Sequence, residues 1–446
     1  MGTADHSDLQ AHLASHDIHT VEVAVPDTHS HLRGKRVPVG RFWSAVADDG
    51  VNIADAVFAM DLVNDLPDNE FINMDSGYLD THLVPDLSTT RILTHRPGYA
   101  LVFCDAKNEH GDPHPLAPRT VLTEQLDRCR AKGLDVVAAT EMEAFLLDMD
   151  GNPAQDFIQY SSLTVDLRAE AALYDMRQAL IGAGMDVESS NAEYGPGQIE
   201  INVGPADALT TADNTALYKS IVKQVAAAHG YRVTFMPKPW EEHSGSGMHI
   251  HTSLNQDGKN AFASSDGAPN ELMGAWLAGQ LEHATAMTLL AAPTPNGMKR
   301  IRPYTFAPTH VNWGLDNRTV LARCITEAGS SANRVEFRLA GADANPYLML
   351  AAILAAGLDG IERSLVPGTM GVGDQYTNPG AATPFTTDYT ESVTAFSQSP
   401  LGGLLGDMFT RSYTSIAVAE DALYAEHGGK GDEVNQWERD RYLDQA

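Results

Sequence analysis

Gly245-Ser-Gly-Met-His-Ile-His-Thr-Ser-Leu254 is the stretch whose reading decides the fold. Its Gly-Ser-Gly opening lets the backbone approach another group closely. It runs into a segment whose alternate positions, His249, His251 and Ser253, are polar, and at strand period those side chains share one face. Three other segments repeat the pattern. Glu141 and Glu143 stand two apart in the largely apolar residues 134–147. Gln198, Glu200 and Asn202 alternate with Ile199, Ile201 and Val203, and Arg334, Glu336 and Arg338 alternate with Val335 and Phe337. Four segments far apart in the chain, each with a polar ladder at strand period, predict a sheet surface on which the ladders converge into one site.

Glu141, Glu143, Glu193, Glu200 and Glu336, with His249, would then form a dense anionic cluster. Two carboxylates about 4 Å apart repel by about 4 kcal/mol at an effective dielectric of about 20, so several together need protons or cations. Oxygen-rich ligands favour Mg²⁺ or Mn²⁺ over Zn²⁺, and one imidazole suits Mn²⁺. Arg300, Arg318, Arg323, Arg334 and Arg338 nearby suggest a polyphosphate, because guanidinium forks take phosphate or carboxylate oxygens in pairs. Clamping charge is most of what phosphoryl transfer requires. The chain has no GxxxxGK[ST], which excludes a P-loop. Taken singly, each ladder has a plainer reading: Glu-x-Glu as a solvated strand edge, His-x-His as structural, Arg-x-Glu-x-Arg as a weak surface ion-pair ladder. All of these would have to hold at once beside a Gly-rich turn.

Composition sets the outer limits. The 446 residues suit two domains and a large core. The longest apolar run, residues 348–358, is too short to span a membrane and reads as a buried helix of Ala, Leu and Met. Thirty Lys and Arg against 59 Asp and Glu leave a net charge of −29, which repels nucleic acid and anionic membranes and argues against either partner. The N-terminus lacks the basic flank and apolar core of a signal peptide, and His6 breaks a myristoylation pattern. Cys104, Cys129 and Cys324 are widely spaced, without CxxC, and read as reduced structural thiols of a cytoplasmic protein.

Residues 1–112 read as a small strand-rich domain, with strands at 20–25, 32–39 and 99–105, the second containing the basic loop Arg33-Gly-Lys-Arg36. Residues 60–90 have the Asp, Asn, Pro and Gly of loops, and 108–118 are punctuated by Gly and Pro. From 113 to 446 the sequence predicts a second domain: helices over 119–132, 169–184, 271–291 and 346–361, a turn at Gly195-Pro-Gly197, and a last helix over 412–425. Strands mixed with helices, without βαβ alternation, predict an α+β architecture.

The ordered motifs Glu141-Met-Glu-Ala-Phe145, Glu193 to Glu200, Lys238-Pro239 with the Gly-rich turn, Asn296 to Arg300, Asn317-Arg318 with Arg323, and Arg334 to Arg338 resemble the glutamine synthetase family over nearly the whole chain. That resemblance implies an N-terminal β-grasp domain and a catalytic domain on a curved antiparallel sheet. It also implies stacked rings, commonly a dodecamer of two hexameric rings, with active sites between subunits. By motif, Glu143, Glu193 and Glu200 match the ligands of one metal, and Glu141, His249 and Glu336 those of a second, with two or three Mg²⁺ or Mn²⁺ per site. Glu188, His251, Ser253, Arg318, Arg323 and Arg334 match positions that contact ATP. Gly245, Arg300 and Arg338 match positions that hold L-glutamate, and Arg318 the catalytic arginine facing the transferred phosphate. The implied reaction phosphorylates the γ-carboxylate of glutamate and lets a nitrogen nucleophile attack the acyl phosphate.

The departures concern the nucleophile. Where the family carries a flap glutamate that helps deprotonate ammonium, this chain has Phe306, in Pro303-Tyr-Thr-Phe-Ala-Pro308, and an aromatic ring cannot take a proton. The acidic position of the N-terminal domain falls on Ala59, with Asp61 two residues on. Ser244 replaces the family's Asn before the Gly-rich turn. The motif around Phe306, with Trp313 to Arg318, is similar to the glutamate-amine ligase branch, whose members make γ-glutamyl amides from small primary amines, usually for amine catabolism. Ammonium-dependent glutamine synthesis and a non-catalytic ring are the other two readings. Tyr376 falls near a position modified in some relatives and reads here as a loop tyrosine.

Overall fold

Two sheets carry the chain in this computed structural model, which describes residues 6–155, 160–164, 166–428 and 433–446. Most of the N-terminal stretch read for a signal peptide lies outside the described residues. The first sheet contains β1 (Thr20–Pro26), β2 (Leu32–Pro38), β3 (Val51–Ala54), β4 (Asp80–Pro85), β5 (Arg91–Ile92) and β6 (Tyr99–Lys107). Its order is β2-β1-β6-β4-β3, with β5 also on β6; β1 and β6 run parallel and the other pairs antiparallel.

The basic residues Arg33 to Arg36 lie within strand β2 rather than in a loop, with Gly34 opposite Ala24 and Arg36 opposite Glu22. Gly34 permits this, since a Cβ there would stand 1.8 Å from the carbonyl oxygen of Val23.

The second sheet is larger. It holds β7 (Asp135–Leu147), β8 (Val187–Ala192), β9 (Gln198–Val203), β10 (Ala206–Asp207), β11 (Arg232–Thr234), β12 (Met248–Gln256), β13 (Lys259–Asn260), β14 (Trp313–Leu315), β15 (Ala322–Ile325) and β16 (Arg334–Phe337). The main order is β14-β15-β16-β12-β7-β9-β8, with β10 and β11 on β7 and β13 on β12. All pairs are antiparallel except β14 with β15. All four segments that announced polar ladders are strands of this one sheet, and the architecture is α+β.

The helices cover its apolar side. Pro118–Arg130 and Leu167–Gly182 start within two residues of expectation, Glu271–Ala291 matches, and Pro346–Glu362 is the buried apolar helix that its composition predicts. Ala208–Ala228 was not anticipated: its first turns carry Leu-Thr-Thr-Ala-Asp-Asn-Thr, residues that lose rotamer freedom or compete for backbone hydrogen bonds in a helix. Burial and the Asp207 cap, which accepts from Thr210 N, hold it. The helix expected over 412–425 begins earlier, as Asp407–Leu423, and is not the last. A capping box between Asn435 and Glu438 starts a further helix, Gln436–Tyr442, which is too short to show an apolar period. One continuous hydrophobic core joins the two sheets and the helices before residue 424, while Tyr442 of the short C-terminal helix packs in a second cluster with Leu62, Phe145, Leu147 and Met236. Cys104, Cys129 and Cys324 are free and buried in it, and burial pushes each thiol up to about 12. Among the described residues no helix is long and apolar enough to cross a membrane.

Candidate active site

Strand register assembles the site. β12 lies between β7 and β16, which sets His249 opposite Glu141 and His251 opposite Glu336. One strand outward on either side, Arg323 stands opposite Glu336, and Glu200 opposite Glu143. The residues that alternate with them on β12, Met248 and Ile250, are fully buried on the other face, so the alternation that predicted the strands also sends the charged groups to the same surface.

Glu141 and Glu336 are compensated. Glu141 faces His251 Nε2 at 2.8 Å and His249 Nδ1 at 3.3 Å. Glu336 accepts from Arg338 and, at 3.0 Å, from Arg323, with His249 Nδ1 at 3.6 Å. Burial works to raise both carboxyls. Hydrogen bonds from the two imidazoles outweigh it at Glu141, and the charges of Arg338 and His249 outweigh it at Glu336, so both lie below the usual range.

Glu193 and Glu200 are not compensated. Burial and the charge of Glu143 push Glu193 up to about 7 and Glu200 up to about 8. Asn191 at 2.7 Å and Asn202 at 3.0 Å supply neutral donors to them. Carboxyls whose charges repel one another in this way suit a divalent cation.

Glu141, His251 and Glu336 offer ligand atoms all within 4.8 Å of one another. The resemblance assigned the imidazole of that group to His249 and gave His251 to the nucleotide. Here both histidines face the Glu141 carboxylate, and Arg334 Nε donates to His251 Nδ1 at 3.1 Å, leaving Nε2 of that ring toward the acids.

The Gly-Ser-Gly turn makes room for an arginine. A Cβ on Gly245 would stand 2.9 Å from Arg300 Cγ, and one on Gly247 would stand 2.5 Å from Arg300 Nη2. Gly247 N also donates to Glu143 at 2.7 Å. Arg300 is buried and donates to the carbonyl of Leu339 at 2.7 Å. Its Nε, like that of Arg338, is buried without a hydrogen-bond partner among the described residues, as expected of groups awaiting an anion. Gln198 ties this turn to the acids: its Nε2 reaches the carbonyl of Gly245 at 3.1 Å, Ser246 Oγ at 3.2 Å and Glu143 Oε2 at 3.5 Å.

Glu188, His251, Ser253 and Arg334 line one cavity of about 330 Å³ together with Glu141. Arg318 is exposed on the turn between β14 and β15, which Asn317 anchors by donating to the carbonyl of Gly373 at 2.9 Å. Arg323 bridges Glu336 and Asp316, a partner that the sequence did not point to.

The nucleophile candidates separate. Ala59 is fully buried at the end of the short helix Asp55–Phe58. Asp61 is not a free carboxylate for an amine: Oδ1 accepts from the backbone of Val63 and Asp65, and Oδ2 from Arg441 at 2.7 Å. Its neighbours invite an Asx turn, which competes for the side chain. Phe306 lies beside the arginines, its carbonyl accepting from Arg338 Nη2 at 3.5 Å. Its φ of 61°, and 63° at Tyr304, put two bulky residues in left-handed backbone at about 1–3 kcal/mol each. Tyr376 packs 5.3 Å from Tyr304, half-buried.

A sheet face that gathers acids, imidazoles and guanidiniums around a glycine-rich turn has the chemistry of an enzyme site that could hold a divalent metal and an anion. Residues 115–442 match the family model of the glutamine synthetase catalytic domain, and the chain belongs to the glutamine synthetase family. It is 35% identical to a glutamate–isopropylamine ligase of a Pseudomonas species over 97% of this chain and 96% of that one. To a γ-glutamylethanolamide synthetase of Streptomyces coelicolor it is 36% identical, over 93% and 91%. The solved structure of apo GmaS without ligand superposes with a TM-score of 0.84 at 29% identity, over 98% of this chain and 99% of that one. Glutamine synthetases stand among the relatives as well.

Proposed function

We propose that this chain is an ATP-dependent ligase joining the γ-carboxylate of L-glutamate to a small primary amine. The observation that carries this reading is selective: the acid ladder and the paired arginines are complete, while Phe306 stands where an ammonium-using relative places its base. The names of the amine-ligating relatives support the same reading.

In the proposed mechanism ATP occupies the cavity lined by Glu188, His251, Ser253 and Arg334, and glutamate lies between Gly245, Arg300 and Arg338. A γ-carboxylate oxygen attacks the γ-phosphorus and ADP leaves. The amine, entering as the free base, then attacks the acyl carbon through its nitrogen, and phosphate departs carrying the proton that the nitrogen gives up as hydrogen phosphate, leaving the amide. Phosphorylation is needed because a carboxylate offers no leaving group. Arg338 offsets charge on the substrate and Arg318 faces the phosphoryl in flight. The donor set fits two or three Mg²⁺ or Mn²⁺, with Glu143, Glu193 and Glu200 holding one and Glu141, His249 and Glu336 another. When bound, these ions would screen phosphate charge and polarise phosphoryl oxygens. The division at residues 112 and 113, the dodecameric ring with shared sites, the cytoplasmic location and a catabolic role belong to the same reading.

Phosphate release from ATP with Mg²⁺ and glutamate, comparing ammonium with primary amines and identifying products by mass, tests it. Turnover with an amine and little with ammonium is expected; efficient ammonium turnover would overturn the proposal.

A further inference from the structure

Phe306 is not alone at the rim. Its ring packs edge-on against Tyr194 with centroids 5.7 Å apart and 68° between the planes, and Tyr194 meets Tyr160 at 6.4 Å. All three rings are open, Tyr194 50% exposed and Phe306 46%, so they do not serve the core. The pair spans the site. Tyr194 directly follows Glu193 at the acid end, while the Phe306 backbone is hydrogen-bonded by Arg338 at the arginine end. The loop from Pro303 to Pro308 carries no acidic side chain. It is held by Thr305 Oγ1, which donates to the carbonyls of Arg300 at 3.0 Å and Arg302 at 2.8 Å.

We infer that Tyr194 and Phe306 form an aromatic wall that selects the nucleophile by its carbon substituent, and that the substrates are monoamines bearing a compact alkyl or aryl group. The inference rests on the ligase reading and deepens it. Ring edges and faces without a carboxylate reward apolar surface and tolerate one ammonium approaching a face. A second ammonium, as in a diamine, would lose its hydration against the rings, and Glu193, the carboxylate next to Tyr194, is committed to a metal in the ligase reading and is not free to offset it. Ammonium itself has no carbon for the wall to cover. Burial of apolar surface improves binding by roughly fourfold per methylene, so kcat/KM should climb at about that rate through methylamine, ethylamine and isopropylamine. Diaminopropane should fall below propylamine.

The test measures kcat/KM for that amine series in the unaltered enzyme, in Tyr194→Ala, Tyr194→Phe and Phe306→Leu, with KM for glutamate read in parallel. Tyr194→Ala should flatten the climb to less than about twofold per methylene and cost isopropylamine about tenfold, with KM for glutamate moving less than about twofold; Tyr194→Phe should preserve the climb. Phe306→Leu reads the opposite ring and should weaken the climb, which keeps the test decisive if the alanine variant does not fold. A climb unchanged in Tyr194→Ala and in Phe306→Leu, a preference for diamines, or an equal loss with every amine would overturn the wall while leaving the ligase reading standing. An unaltered enzyme that turns over ammonium and no amine would overturn the ligase reading itself.

Discussion

The two halves of the site's acid ladder lie on the same sheet face and differ in how their charge is met. On the β16 side, Glu141 and Glu336 are matched by His249, His251, Arg323 and Arg338, and their carboxyls are held low. On the β9 side, Glu193 and Glu200 crowd Glu143 with only amide donors beside them and are pushed up. The first half is folded into ion pairs that persist without a ligand. The second is assembled under repulsion, so the protein is poised to gain stability when a cation arrives. One face thus combines a pre-formed anchor with a charge-hungry pocket.

The largest break in that contrast comes from Glu336→Ala. It leaves Arg338 and Arg323 without their buried partner and should cost about 3–5 kcal/mol of unfolding free energy in metal-free protein, read by denaturant titration, together with activity. Loss of activity alone would mean that the β16 half is not pre-formed. Gly247→Ala probes the seam between the halves. Its Cβ meets Arg300 at 2.5 Å, and overpacking of about 1–3 kcal/mol with a raised KM for glutamate is expected from unfolding curves and kinetics.

The charge-hungry half should appear in pH. With folded values of about 7 and 8 above the ordinary carboxylate value of about 4.3, the folded chain binds more protons than the unfolded one across that window. Stability of the metal-free protein therefore falls as pH rises through it. Melting in chelator at about pH 5.5 and about pH 8 should differ by several degrees, and Mg²⁺ or Mn²⁺ should remove the difference; a flat profile in chelator would refute the contrast. The smallest effect has the opposite sign to that of Glu336→Ala. Glu200→Gln removes one repelled charge and should raise the metal-free melting temperature at about pH 8 by on the order of a few degrees, while abolishing the metal-dependent gain.

The strands that build the site were legible because their polar ladders run at period two. The Gly-rich turn and the order of the motifs carried the family. Ala208–Ala228 was hidden by threonines and asparagine that only tertiary burial makes helical, and Gln436–Tyr442 by its brevity. Tyr194 gave no signal, because one aromatic after a glutamate has no period, and its meaning comes from the ring of Phe306, more than a hundred residues away in the chain. Asp61 looked available because an acid in sequence shows no partner, whereas the fold supplies Arg441.

Sequence by itself determined which side chains face together along each strand and which chemistry they can perform, since alternation is a local consequence of backbone geometry. Only the tertiary structure decided which carboxylates meet a cation and which meet each other, since strand order and register place charges from distant segments within a few ångströms. At that range, buried from water, a neighbour's sign decides whether a carboxyl is held low or pushed up.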